Sequence, residues 1–246
     1  MKLWQKIGIG LLLSILLGYV GFAIFTFSTK TDKKDNNGVI IRIVDEEERQ
    51  FITSKDIKNS LERNNISLDK KAIEKINITD LEKAIKKNPI VRRVECYKTP
   101  AGAIKIDVWQ RKPIFRVMGI LNYYVDENGV AMPITPNFTA HVPIVTGEVN
   151  KQFATQDLYK FVLFLQGDKF WNAQIEQIYV DSTNEIILIP RVGNHEIILE
   201  LNDFEKKLKK LKTLYTKGFN KIGWGNYESI NLKYKNQVIC TKRIGE

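Results

Sequence analysis

The chain has 246 residues, 43% of them hydrophobic and 27% charged, a balance that excludes wholesale disorder and leaves room for one or two cored domains. Thirty-eight Lys/Arg against 28 Asp/Glu give a net charge of +10, and residues 203–246 alone hold eleven basic against four acidic side chains, so the excess is local. Two cysteines and two histidines, all far apart in sequence, exclude a disulfide framework and argue against a zinc site.

In chain order, residues 1–6 are a short tail carrying Lys2 and Lys6, and residues 7–27, "IGIGLLLSILLGYVGFAIFTF", are 21 residues without a charge. As a helix at about 1.5 Å per residue they would reach ~31 Å, the hydrocarbon thickness of a bilayer, which predicts a transmembrane helix. A cleaved signal peptide would have a shorter apolar region and a small-residue cleavage site, which Phe25-Thr26-Phe27-Ser28 does not offer. Lys30, Lys33 and Lys34 balance Lys2 and Lys6 across the span, so charge counting does not orient it. Residues 28–38 are polar and aperiodic, a linker.

"VIIRIVDEEERQFIT", from Val39, reads as a strand. Thr53 with Asp56 three residues on suggests a capped helix with Ile57 and Leu61 on one face. A second helix is predicted at 79–87, capped by Thr79, with Leu81 and Ile85 inward and Pro89 ending it. Strands at 90–98 and from Ile104 to Val108 flank Thr99-Pro100-Ala101-Gly102, a type I turn. Beyond Pro113 the texture changes to short strands with frequent turns: FRVM, NYYV, the turn Asp126–Gly129, VAMPI and VPIVTG. Residues 155–166 have a helical pattern, EIILIPRV and EIILEL form a hairpin around Gly193-Asn194, and Phe204, Leu208, Leu211 and Leu214 mark an amphipathic helix. "SINLKYKNQVICTK" closes the chain as a last strand, and His195 falls in the hairpin turn.

Candidate chemistry is sparse. No nucleophile, phosphate-binding or metal motif occurs, and Glu46-Glu47-Glu48 are consecutive acids that point in different directions, so no catalytic, cofactor-binding or metal residue is assigned and no enzyme is expected. Lys206, Lys207, Lys209, Lys210 and Lys212 fill the outward positions of a Leu-faced helix, which reads first as a solvated face. Contact of helix 204–217 with anionic lipid or wall polymer is the secondary reading, and nucleic acid is not expected because interleaved aromatics are missing. Cys96 and Cys240 share alternating positions with Val94 and Val238 and are expected as unpaired thiols.

The order of "LEKAIKKNPIVRRVECYKTPAGAIKIDVWQRKPIFRV", "YYVDENGVAMP" and "VPIVTG" behind a single span resembles the bacterial FtsQ/DivIB division-protein family across nearly the whole chain. The resemblance implies an α+β protein: one N-terminal transmembrane helix, a POTRA-like β-α-α-β-β module at 39–112, then a mostly antiparallel β domain with two helices at 113–243 that ends in an edge strand, and a tail at 244–246. It implies a non-catalytic scaffold of the cytoplasmic (inner) membrane, its amino terminus cytoplasmic and both domains periplasmic, enriched at the division septum. Such a scaffold would bridge and recruit divisome components and bind FtsB/FtsL-type bitopic partners, with no small-molecule substrate. A terminal strand with an open edge can accept a partner strand through main-chain hydrogen bonds. The family's Asp-Leu-Arg-Tyr pattern is met by Asn231-Leu232-Lys233-Tyr234, with Asn for Asp and Lys for Arg. Tyr234, Asn236, Gln237 and Lys233 are thereby the implied partner-binding residues, joined by Arg92 of the first module. Tyr234 shares the parity of Leu232 and Val238, so packing inward with them is the competing reading. The alternative class is a POTRA-bearing export or outer-membrane assembly component.

Overall fold

The computed structural model describes residues 16–20, 38–68, 75–100 and 102–244. The expected tail at 1–6 and most of the span at 7–27 and the linker at 28–38 lie outside them; of the span, residues 16–20 are helical. Among the described residues no helix is long and apolar enough to cross a membrane. Two compact units are present, one made of the described parts of Met1–Val44, Ser54–Ile85 and Val94–Val108, the other of Asp45–Thr53, Lys86–Arg93 and the described part of Trp109–Glu246.

From Val39 to Gln110 the elements are β1 (Val39–Ile43), α1 (Ser54–Arg63), α2 (Ile78–Lys86), β2 (Val91–Lys98) and β3 (Ile104–Gln110), which make up the first unit except for Lys86, Val91–Arg93, Trp109 and Gln110. Its sheet has the order β1-β3-β2, with β1 parallel to β3 from Val39 opposite Ile104 to Ile43 opposite Val108. Ile57, Leu61, Leu81, Ile85, Ile104, Ile106 and Val108 are all fully buried, each contributing about 1.5–3 kcal/mol of transfer free energy. Arg42 grips Asp107 through two hydrogen bonds of 2.8 Å on adjacent strands, the planar guanidinium matching the carboxylate. The Cys96 amide of edge strand β2 donates to Glu82 Oε1 of α2 at 2.9 Å rather than to another strand. Burial, with Glu82 and Asp107 nearby, pushes the Cys96 thiol up to about 12, so it is inert as a nucleophile.

Two expectations in this unit change. The first strand ends at Ile43 rather than running to Thr53, because Asp45 starts a turn in which its carbonyl accepts from the Glu48 and Arg49 amides. The second helix starts one residue early at Ile78, where the Asn77 side chain accepts from the Thr79 amide, so Asn77 and not Thr79 supplies the cap.

The second unit is a nine-stranded sheet in the order β12-β11-β10-β9-β8-β7-β4-β5-β6. Its strands are β4 (Pro113–Val117), β5 (Tyr123–Asp126), β6 (Ala131–Pro133), β7 (Ile144–Gly147), β8 (Ile175–Val180), β9 (Ile186–Pro190), β10 (Glu196–Leu199), β11 (Tyr227–Asn231) and β12 (Ile239–Lys242). Most neighbours are antiparallel; β4 with β7, β7 with β8, and β10 with β11 are parallel. The predicted helix at 155–166 is longer: Asn150 caps an opening turn at Lys151–Phe153, a π turn follows at Ala154–Leu158, and α3 runs Tyr159–Gly167. A short α4 (Lys169–Gln174), capped by the Asp168 carboxylate, is an addition to the expected elements. The amphipathic helix is α5 (Phe204–Leu214), continued by a π segment at Tyr215–Phe219. Leu158, Phe161, Trp171, Leu208, Leu211, Tyr215 and Phe219 from these helices close over Phe115, Val145, Ile178, Leu188, Ile197 and Ile230 of the sheet as one core.

At the β6 end, Asp126 is completely buried and accepts from Arg111 Nη1 at 2.9 Å and from the amides of Asn128 and Val130 at 2.9 and 2.7 Å. Gly129 follows with φ of 73°, and a Cβ there would lie 2.7 Å from the Thr155 carbonyl oxygen, so both the conformation and the space demand glycine. Lys212, expected on a solvated face, instead turns to Asp168 with contacts of 2.7 and 2.9 Å. That bond, with the Phe170 and Trp171 amides, holds the Asp168 carboxyl below its ordinary range against a smaller opposing effect of burial. His195 lies in the β9–β10 connection, as expected, and is buried there. Cys96 and Cys240 are both free thiols.

Candidate docking site at the carboxyl-terminal edge

The closing stretch, expected as one strand, is a hairpin. β11 and β12 pair antiparallel, with Asn231 opposite Ile239, Ile230 opposite Cys240 and Ser229 opposite Thr241, and residues 232–238 make the turn. Asn236 reverses the chain in the left-handed region at φ 67°, a conformation Asn tolerates better than other non-glycine residues. Leu232 is buried, and its amide donates to the Ile198 carbonyl at 2.8 Å, which anchors the start of the turn.

Tyr234 does not follow Leu232 inward. It is 53% exposed, because the turn breaks the strand parity on which inward packing depended. Asn236 and Gln237 are exposed beside it, and the Gln237 amide closes on the Tyr234 carbonyl at 3.4 Å. Lys233 Nζ meets Glu185 Oε2 at 2.5 Å, an ion pair that raises the lysine above its ordinary value, so its charge is partly spent within the chain. Arg92 stands apart from this group. Its guanidinium pairs with Glu127 at 3.0 Å, on the β5–β6 turn, which belongs to the opposite end of the nine-stranded sheet.

β12 occupies one edge of the sheet. Val238 and Cys240 pack partly against the core, while Ile239 is 43% exposed and Thr241 and Lys242 are exposed. Between α5 and the turn runs a groove of about 330 Å³, lined by Lys206, Lys207, Lys210, Lys233 and Lys235 against the single carboxylate of Asp203. Lys210 Nζ donates to Asn236 Oδ1 at 3.1 Å, tying the helix to the turn. Lys207 donates to Asn202 Oδ1 and to the Glu200 carbonyl, and burial pulls its ammonium below the usual lysine value. The arrangement offers an extended backbone rim, an exposed aromatic and a positive groove in one place. Among the described residues no group of three His, Cys, Asp or Glu could hold a metal ion. Sequence reasoning missed the groove because its two walls are far apart in the chain; the αL-prone Asn236, which interrupts the apolar alternation of Leu232, Tyr234 and Val238, was the available signal.

Comparison with known proteins bears on this fold directly. Residues 36–109 match the family of POTRA-like domains, and residues 112–241 match the family described as FtsQ/DivIB, C-terminal related. The chain belongs to the FtsQ/DivIB family. It is also 24% identical over 179 residues to the cell division protein FtsQ of Geotalea daltonii, an alignment covering 68% of this chain and 64% of that relative. For this FtsQ/DivIB chain, the 232–238 turn and β12 up to Thr241 lie within the matched carboxyl-terminal region.

Proposed function

We propose that this FtsQ/DivIB chain is a non-catalytic cell-division scaffold that recruits and bridges divisome components, taking up a strand of an FtsB/FtsL-type bitopic partner along the outer edge of β12. The observation that carries the reading is the edge position of β12 beside the half-exposed Tyr234. Strand addition gains affinity from main-chain hydrogen bonds and selectivity from alternate side chains, here Ile239 and Thr241 on the strand with Tyr234, Asn236 and Gln237 at its approach. The 21-residue apolar run at 7–27 serves as the membrane anchor in this reading, with the amino terminus cytoplasmic and both units on the periplasmic side at the septum. Family membership and the similarity to a cell division protein support the role.

The test is affinity for a purified FtsB-type partner. Tyr234→Ala is expected to weaken binding by at least about 2 kcal/mol, the loss typical of an interface anchor, with the unfolding midpoint unchanged. A photo-crosslinker at Ile239 is expected to capture the same partner, and one at the exposed Val192 is not. Unchanged affinity in the tyrosine variant rejects the assignment.

A further inference from the structure

His195 lies just before β10 and is only 4% exposed. Its Nε2 shares a hydrogen bond with the hydroxyl of Tyr215, which is itself buried. Gln174 lies on the same side of the core, its Nε2 donating to the Val192 carbonyl at 3.0 Å. The other ring nitrogen, Nδ1, is buried without a regular hydrogen bond beside the Gly193 and Trp224 carbonyls, which only accept, so the imidazole hydrogen belongs on Nδ1 and Nε2 accepts from the Tyr215 hydroxyl. Gly193 is required for this fit, because a Cβ there would fall 2.3 Å from the imidazole ring.

The residue before His195 is the anchor for the end of the chain. Arg243, directly after β12, donates from Nη2 to the Asn194 carbonyl and reaches the Tyr227 carbonyl at 3.4 Å, while its amide donates to the Asn226 carbonyl at 3.0 Å. One arginine therefore fastens β12 to both the β9–β10 turn and the start of β11.

We propose that protonation of His195 unfastens the carboxyl-terminal end of β12 from β11 and the β9–β10 turn, making this edge of the sheet acid-sensitive. A proton added at Nε2 meets the tyrosine hydrogen, so the hydroxyl must turn away and give up Nε2 as its acceptor. The inward surroundings are aromatic, with Tyr215 and Phe219 ring centroids 5.6 and 6.3 Å from that of His195, so a charge kept there forfeits its hydration. Cys240 of β12, the other titratable group near Tyr215, is held as a neutral thiol by burial. Outward, a depression lined by His195, Glu196, Glu228, Ser229 and Arg243 offers two carboxylates to an imidazolium, but Arg243 stands there with the same sign of charge. Relief comes from moving the ring outward and displacing Arg243. Burial holds His195 below its ordinary 6.5; the Gly193 and Trp224 carbonyls oppose it, and Arg243 adds a smaller push in the same downward direction. The closed form is therefore fully stable above that value, and its stability falls as pH drops below it, because the open form takes up the proton first.

The consequence for docking rests on the strand-addition reading, whereas the unfastening does not, so the experiment leaves the partner out. Hydrogen exchange of the full chain in detergent micelles is followed at residues 238–243, with protection corrected for the pH dependence of chemical exchange. Protection is expected to fall about tenfold between pH 7.5 and 5.5, as for one linked proton, and to stay constant in His195→Gln. Should that variant misfold, the His195 Cε1 proton resonance of the intact protein is titrated, distinguished from that of His141; its midpoint is expected to rise in Arg243→Met. Equal protection at both pH values, the same fall in His195→Gln, or a midpoint unmoved in Arg243→Met overturns the device and leaves the docking proposal standing.

Discussion

The two ends of the nine-stranded sheet are built on opposite plans. At one end β6 has three residues and finishes on Pro133, whose missing N–H makes a poor template for an added strand. Beside it the completely buried Asp126 binds an arginine and two amides, and Gly129 fits a space closed to any other side chain. At the other end β12 is an edge strand with exposed Ile239, Thr241 and Lys242, approached over a groove in which the α5 lysines Lys206, Lys207 and Lys210 reach neutral oxygens or the exposed Asp203. Polar groups at the β6 end serve the fold, and those at the β12 end are left within reach of solvent. The same chemistry, carboxylate against cation, thus has a different purpose according to burial.

That contrast is breakable by substitution. The largest effect is expected for Asp126→Ala, which strands the partly buried Arg111 and orphans two amides; denaturant unfolding should show a loss of about 3–5 kcal/mol. An intermediate effect, about 1 kcal/mol, is expected for Asp168→Ala, which removes the cap of α4 together with the Lys212 contact, read in the same way. Because the Asp168 carboxyl is held below its ordinary range, its contribution is full above that range and is lost as pH falls through the lowered folded value, so Asp168→Asn should flatten the acid limb of the stability profile. The smallest change is expected for Lys233→Met, whose thermal midpoint should match that of the unsubstituted protein. A large destabilisation there would show that the fold depends on the β12 end no less than on the β6 end.

The first unit was the more legible in sequence because its punctuation is local. Pro89 and the Thr99–Gly102 turn place the hairpin, and the buried Ile104, Ile106 and Val108 alternate as a strand should. The helix and hairpin patterns at Phe204–Leu214 and around Gly193-Asn194 were readable for the same reason. What escaped was set by tertiary partners. Lys212 looks like its neighbouring lysines until Asp168, 44 residues away, is brought beside it. Asp126 resembles any turn acid until Arg111 closes over it. Of the implied partner-binding residues, Lys233, Tyr234, Asn236 and Gln237 gather at one turn, while Arg92 is taken by Glu127; parity alone could not place Tyr234 once Asn236 had bent the strand.

The Glu82 carboxylate on the Cys96 amide has a consequence for how copies of the protein behave when concentrated at one place. An extended rim stoppered by a helix of its own unit gives a passing chain one fewer rung to grip, so β2 is a poor starting point for self-zippering into aggregates. The β12 margin can then stay uncovered without the molecule becoming adhesive at β2 as well.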